Sequence, residues 1–539
     1  MIKNKAKLFE LLTLFTMVIG TVVGTGIYVK NNELLVETGN PIIAIILWFV
    51  VGMVCVGIVY VFIEISSATR KFGNGTIGNW TKLFVGRKAA SLCSMMYLII
   101  YVPSCQGIFT VLFVTYIFKI FNVVLPPGAM FSLYLFIGIS MIVIFLFINM
   151  YSPFNASKKI LLFGTFFKFI PLIIALFAGF ILAGTNGAMS NGGFGDQSWS
   201  TSDFDPGLFI RGFGGILFSF DGFIYIANAQ KTAKHKEVVP KALLFGMIFV
   251  AIFYVLMAIS LFLGSPDGTI ENVLVQVFGG KGAGTLITNL VSIVICFMGI
   301  NIFSYIGVVG MQSDAQSRVV YSKGRNIDYI KAGYIQMVAS IIIFTLFLTL
   351  GFGLSSGDWQ GFGTSTNIVN ADGDNIYQGL VFGNAAKYVG IMSSTAACFG
   401  FSFITVLIFA SIKNRMTNKV EVEKIKGFLP VAWVSGILLA LFVILGIYTF
   451  LVPIDVYKGV KVDDIYVKTK WIESSGFIFL LLLIAGISAI AVLYFIQEYK
   501  FKKDPFVNGF EGEIQPEEVI AKRKASEIIK TSVNKVLKR

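Results

Sequence analysis

The chain has 539 residues, of which 56% are apolar and only 13% charged, and its mean hydropathy of +0.81 excludes a soluble globular domain. A formal net charge of +14 would suit a nucleic-acid-binding protein, but the distribution of the basic residues argues for membrane orientation instead and against a nucleic-acid partner. At ~20 residues per span, the apolar runs predict an all-α integral membrane protein of about twelve transmembrane helices.

The spans are predicted over 9–30, 41–65, 89–118, 129–150, 159–183, 208–228, 239–264, 284–312, 332–354, 388–412, 429–452 and 475–498. With the N-terminus inside, the loops after even-numbered spans and both tails hold about 33 of the 43 Lys and Arg, and the opposite loops hold about nine. The expectation is a multi-pass protein of the cytoplasmic membrane, in contact with lipid and with both termini cytoplasmic.

In the first span, Lys3, Lys5 and Lys7 precede an apolar run as in a secretory signal. The run is too long for a signal core and lacks an Ala-x-Ala type cleavage site, so it is expected to be retained. Its middle is interrupted at Val23-Gly24-Thr25-Gly26-Ile27-Tyr28. Glycine there weakens the helix and bares backbone N–H and C=O groups that lipid cannot satisfy. At the end of the second span, Glu64 is expected to be an interfacial residue rather than a partner in an inner gate. Cys55, Cys93, Cys105, Cys296 and Cys398 all fall in apolar stretches without CxxC spacing, so they read as packing residues, with no disulfide or metal site implied.

In the fifth span Lys168 lies about nine positions in, roughly 13 Å at 1.5 Å per residue, and three before Pro171. Either it snorkels to the cytosol or it serves a buried site. The outer stretches 185–207, 355–387 and 453–474 are long and rich in Gly, Ser, Thr, Asn and Asp, and read as tolerated insertions. The sixth span repeats the interruption at Phe220-Asp221-Gly222-Phe223-Ile224-Tyr225. An ionisable group at that depth costs roughly 2.5–3.5 kcal/mol without a partner or water, so Asp221 is expected to face a cavity. The one histidine, His235, lies among lysines in a predicted inner loop and does not suit a catalytic base. The final forty residues turn strongly charged and read as a solvated tail.

Broken spans at corresponding positions of two halves point to two five-helix repeats, inverted because five is odd. The organisation is a first repeat over 1–183, an outer loop over 184–207, a second repeat over 208–412, two added helices over 429–498 and a basic cytoplasmic tail over 499–539. Two facing breaks offer N–H groups to an anion and carbonyl ends to a cation. A zwitterionic α-amino acid satisfies both. Gly24, Thr25 and Gly26 would donate to its carboxylate, and the carbonyls around Phe220, Asp221 and Gly222 would accept from its ammonium. The alternative is that Gly20 and Gly24 only allow close helix packing.

Ile19-Gly20-Thr21-Val22-Val23-Gly24-Thr25-Gly26-Ile27-Tyr28 and Phe218-Ser219-Phe220-Asp221-Gly222-Phe223 resemble signatures of the amino acid–polyamine–organocation transporters. So do Tyr60 to Ser67, Val239-Pro240-Lys241-Ala242, and Ser317-Arg318-Val319-Val320-Tyr321. Departures fall at Tyr28, at Gln230-Lys231-Thr232 and at Tyr321-Ser322-Lys323-Gly324. The resemblance implies a LeuT-like fold of two inverted five-helix repeats plus two helices, working by alternating access. In proton-coupled members a lysine of the fifth helix lies between helices 1 and 8, which implies that Lys168 couples proton movement to the first helix, with Ser313 facing its amine.

The expected function is therefore a secondary active amino acid transporter, with the proton as coupling ion and no other cofactor. The alternatives are an exchanger without proton coupling, a channel, or a membrane-embedded enzyme. The sequence leaves the particular amino acid and the oligomeric state open.

Overall fold

Helix boundaries follow local chemistry. The computed structural model describes residues 2–24, 26–69, 75–123, 125–152, 155–185, 206–222, 235–278, 281–322, 327–354, 377–457, 460–462, 465–468 and 470–502. Helix α1 (Ile2–Val22) breaks, resumes as a π-helical turn at Gly26–Lys30, and continues into α2 (Asn31–Thr38). Then follow α3 (Pro41–Ser67), α4 (Ile77–Phe84), α5 (Arg87–Phe121), α6 (Pro127–Tyr151), α7 (Asn155–Thr185) and α8 (Pro206–Ser219). The second half runs through α9 (Val239–Gly264), α10 (Ile270–Val277), α11 (Lys281–Gln316), α12 (Tyr329–Leu354) and α13 (Tyr377–Thr417). It closes with α14 (Phe428–Leu451), the short α15 (Ile454–Tyr457) and α16 (Ser475–Lys502). Where α3 begins, Asn40 accepts from the Ile42 amide at 2.9 Å and Pro41 occupies the first turn, where a missing N–H costs nothing.

Among the described residues, ten helices are long and apolar enough to cross a membrane: α3, α5, α6, α7, α9, α11, α12, α13, α14 and α16. The predicted first and sixth spans are the interrupted ones, and the continuation of the sixth past Gly222 lies outside the described residues. The predicted outer stretch 355–387 gives way to α13 at Tyr377. Within 453–474, β1 (Val460–Val462) pairs antiparallel with β2 (Ile465–Val467), Val460 opposite Val467. Among the described residues the fold is thus all-α apart from one small hairpin.

The inverted repeat is visible in the packing. A two-fold axis in the membrane plane makes helices near it touch their own counterparts. That is what occurs: α3 packs on α9, α5 on α11 and α6 on α12. The connecting helices obey the same symmetry, α4 between α3 and α5 and α10 between α9 and α11. Each is eight residues long and opens on the same letters, Gly75-Thr76-Ile77-Gly78-Asn79 and Gly268-Thr269-Ile270-Glu271-Asn272. Thr76 Oγ1 accepts from the Asn79 amide at 3.0 Å, and Thr269 Oγ1 from the Asn272 amide at 3.3 Å. Threonine N-caps at matching places start the two helices alike.

The core splits along the same lines. One cluster joins α1, α3, α8 and α9 around the fully buried Trp48, Phe220, Tyr254 and Phe262. Another fills α5, α6, α11 and α12 around Tyr134, Phe145 and Phe344. All five cysteines are buried and free, as packing residues should be.

Candidate functional site

A helix that ends inside a membrane leaves carbonyls needing donors. At the end of α1 the last regular bond is from the Val23 amide to Ile19 O at 2.9 Å. Beyond it, the donors come from other helices. Lys168 Nζ, on α7 and 1% exposed, donates to Gly20 O at 2.7 Å and also to Val23 O. Tyr254 Oη, on α9, donates to Val22 O at 2.9 Å. Lys168 therefore does not snorkel; it caps the broken end of α1.

At the end of α8 the chain tightens into i→i−3 bonds, from the Phe220 amide to Leu217 O at 3.1 Å and from the Asp221 amide to Phe218 O at 3.2 Å. Gly222 then takes φ +104°, a left-handed conformation that excludes ordinary side chains. Asp221 Oδ1 accepts from the Gly222 amide at 2.7 Å, and its Oδ2 accepts from Tyr101 Oη. The two breaks face one another: a Cβ on Gly26 would stand 2.5 Å from Ser219 Cβ, and one on Gly222 would stand 2.9 Å from Thr21 Cγ2.

Tyr101 owes its position to a π-helical turn at Met96–Tyr101 within α5. Pro103 has no N–H, and its ring excludes the carbonyl four residues back, so the turn before it widens and the Val102 amide bonds to Tyr97 O. Such turns re-aim side chains, often at functional places. Tyr101 stacks on Tyr97 with centroids 4.8 Å apart.

One cavity lies between these elements. It is lined by Gly20 to Gly24 and Gly26 of the first break, Phe218, Ser219, Asp221 and Gly222 of the second, Lys168, Phe109, and α11 through Ile295, Met298, Gly299, Ile302 and Phe303. Of the residues expected from sequence, Gly24, Gly26, Asp221, Gly222 and Lys168 meet there. Thr25 lies outside the described residues. The ring of Phe220 does not line the cavity but packs with Trp48 at 6.0 Å and Tyr254 at 5.1 Å, which leaves only its carbonyl for the expected role. Ser313 is a correction. It is buried near the C-terminal end of α11, its hydroxyl makes no hydrogen bond among the described residues, and Lys168 Nζ is turned to the α1 carbonyls instead. Sequence reasoning missed Ser219, Tyr101, Phe109 and Tyr254. Pro103 was the available signal for the π-helical turn of α5 that places Tyr101; the others sit in apolar runs that carry none.

Polar contacts close the site on both sides. On one side, Asn31 Nδ2 donates to Gly268 O and Asn32 Nδ2 to Asp267 O, each at 2.8 Å. Burial raises the Asp267 carboxyl, but hydrogen bonds from Ser265, Thr269 and Asn272 outweigh it and hold the group below the usual carboxylate range. On the other side, the buried Asp314 accepts from Thr76 Oγ1 and Ser94 Oγ, both at 2.5 Å. Lys82 Nζ donates to Ser317 O at 2.8 Å, where Arg318 stops α11 at φ +60°. Lys7 pairs with Glu237 at 2.8 Å, and Glu10 Oε2 accepts from the His235 amide at 3.0 Å.

Glu64 corrects a further expectation, being buried rather than interfacial. It pairs with Arg415 at 2.7 Å and accepts from the Ile425 amide at 3.0 Å, tying α3 to the end of α13 and the loop after it. Among the described residues, no group of three His, Cys, Asp or Glu is placed to hold a metal ion.

Residues 9–469 match the profile of a family described as amino acid permease. An uncharacterized protein of Mycoplasma pneumoniae is 25% identical over 471 residues, 78% of this chain and 80% of that one. The serine/threonine exchanger SteT of Bacillus subtilis is 24% identical over 252 residues, 46% of this chain and 52% of its own. The amino acid transporter protein 6 of Caenorhabditis elegans is 20% identical over 288 residues, 52% of this chain and 53% of its own. Among solved structures, MhsT in complex with L-phenylalanine superposes with a TM-score of 0.52 at 14% identity, covering 81% of this chain and 98% of that one.

Proposed function

The chain belongs to the amino acid permease family, and from that premise we propose that it is a proton-coupled secondary transporter which carries one α-amino acid by alternating access. The amino acid carboxylate docks on the N–H groups of the first break, at Gly24, Thr25 and Gly26. Its ammonium docks on carbonyls at the second break, beside Asp221 and Gly222. Glycine in both places lets the backbone come close enough to serve as the ligand. The side chain of the amino acid then meets Phe109 and the apolar face of α11.

The observation that carries this reading is the amine of Lys168 on the carbonyls of Gly20 and Val23. A charged ammonium donates to two carbonyls at once and holds the end of α1 against α7. Loss of its proton weakens that hold and frees α1 to move. Coupling then requires that the proton arrive and leave on opposite sides of the membrane. Exchange of one amino acid for another is the second reading, and the name of the SteT relative favours it.

Uptake of a panel of twenty labelled amino acids into proteoliposomes tests both. Under the proton reading an imposed pH gradient drives accumulation of at least one of them, and Lys168→Ala abolishes the drive while leaving counterflow exchange. Accumulation by Lys168→Ala at the wild-type rate removes the coupling role. Uptake that requires internal amino acid and ignores the gradient favours exchange.

A further inference from the structure

The C-terminal ends of α1 and α8 meet at the cavity, and each brings the negative end of a helix dipole. Two such ends repel unless a donor stands between them. Tyr254 Oη stands there, 2.9 Å from Val22 O and 3.1 Å from Ser219 O. The Tyr254 side chain is fully buried. We propose that Tyr254 is the positioning residue of the site: its single hydroxyl hydrogen is shared between the carbonyls that end the two broken helices and fixes their spacing.

The ring side of Tyr254 ties that spacing to the closure made by Asn31. Its ring meets those of Trp48 at 5.2 Å and Phe220 at 5.1 Å. Trp48 Nε1 donates to Asn31 Oδ1 at 3.1 Å, and Asn31 Nδ2 donates to Gly268 O at 2.8 Å. Trp48, Phe220 and Asn31 are all fully buried. Every link from the breaks to the turn before α10 is thus a direct contact shielded from water, so a change in spacing at the breaks alters the support of that turn.

The test compares hydrogen–deuterium exchange of the full-length protein in lipid nanodiscs as wild type, Tyr254→Phe, and Tyr254→4-aminophenylalanine. Phenylalanine keeps the ring packing and removes only the donor. The aniline nitrogen carries two hydrogens, one for each carbonyl. Exchange over 19–24 and 216–222 is expected to rise about fivefold to tenfold in the Phe variant, the size of one lost buried hydrogen bond, with α6 and α12 unchanged. The aniline is expected to return it to the wild-type rate or below. Unchanged exchange at either break, or an increase spread equally over α6 and α12, overturns the proposal. If Tyr254→Phe yields no folded protein, the aniline variant decides alone: faster exchange than wild type at the breaks refutes a shared hydrogen. The substrate consequence rests on the transport reading, under which Tyr254→Phe raises KM more than it lowers kcat for the best amino acid of the panel. Wild type that takes up none of the twenty would sink that reading while leaving the exchange result intact.

Discussion

Gly26 has no room for a side chain. A side chain there would drive into Ser219, whose Cβ lies 2.5 Å from where the new carbon would sit; real Cβ contacts do not come so close. Gly26→Val is therefore expected to part the two breaks and lower amino acid affinity at least about tenfold, while the distant α6–α12 packing keeps the protein folded. Scintillation proximity binding on purified protein checks this, and wild-type affinity would contradict it. Glycine is also why the site was half legible. Gly24, Gly26 and Gly222 announce a break because few other residues cause one inside an apolar run. Lys168 stands out because charge is costly in lipid. Tyr254 and Ser219 announce nothing, since a tyrosine or serine among apolar residues looks the same whether its hydroxyl bonds its own helix or a partner 35 residues away.

At the scale of elements, positions were more legible than ends. Hydropathy located the long spans because lipid imposes length and composition together. It could not foresee that α13 begins at Tyr377, because that segment has no apolar run to mark it. The repeat was legible in the wrong place: the broken spans share few letters, whereas the two Gly-Thr-Ile-x-Asn openings of α4 and α10 share four. Short capped helices outside the spans escaped notice because hydropathy weighs only the membrane. The π-helical turn of α5 supplies the prediction here. Pro103→Ala restores an N–H and removes the ring that keeps the turn wide, so α5 is expected to relax toward regular α-helix and turn Tyr101 away from Asp221. Thermal stability should hold or rise, while amino acid affinity falls about tenfold, the trade expected when a strained functional element is regularised. Equal affinity in Pro103→Ala would mean that the turn does not serve the site.

For the whole molecule, two closures flank one cavity, and they are unlike in chemistry. One is held by Asn31 and Asn32 on backbone carbonyls, and the other by the buried Asp314 and the Lys7–Glu237 pair. Under the transport reading alternating access requires that they open in turn, so their sidedness decides which of them admits substrate from each face of the membrane. The charge bias predicts that the loop between α13 and α14 lies inside, with Lys413, Arg415, Lys419, Lys424 and Lys426 near it. The hairpin side, with its exposed Lys468, then faces out. The five native cysteines are buried, so a single engineered thiol can be read above a low background. In intact cells a membrane-impermeant maleimide is expected to label Lys468→Cys and to spare Lys419→Cys, whose position is also exposed; permeabilised cells should label both. The reverse pattern would invert the molecule in the membrane and exchange the roles of its two closures, because Lys168 caps α1 on one side of the breaks only.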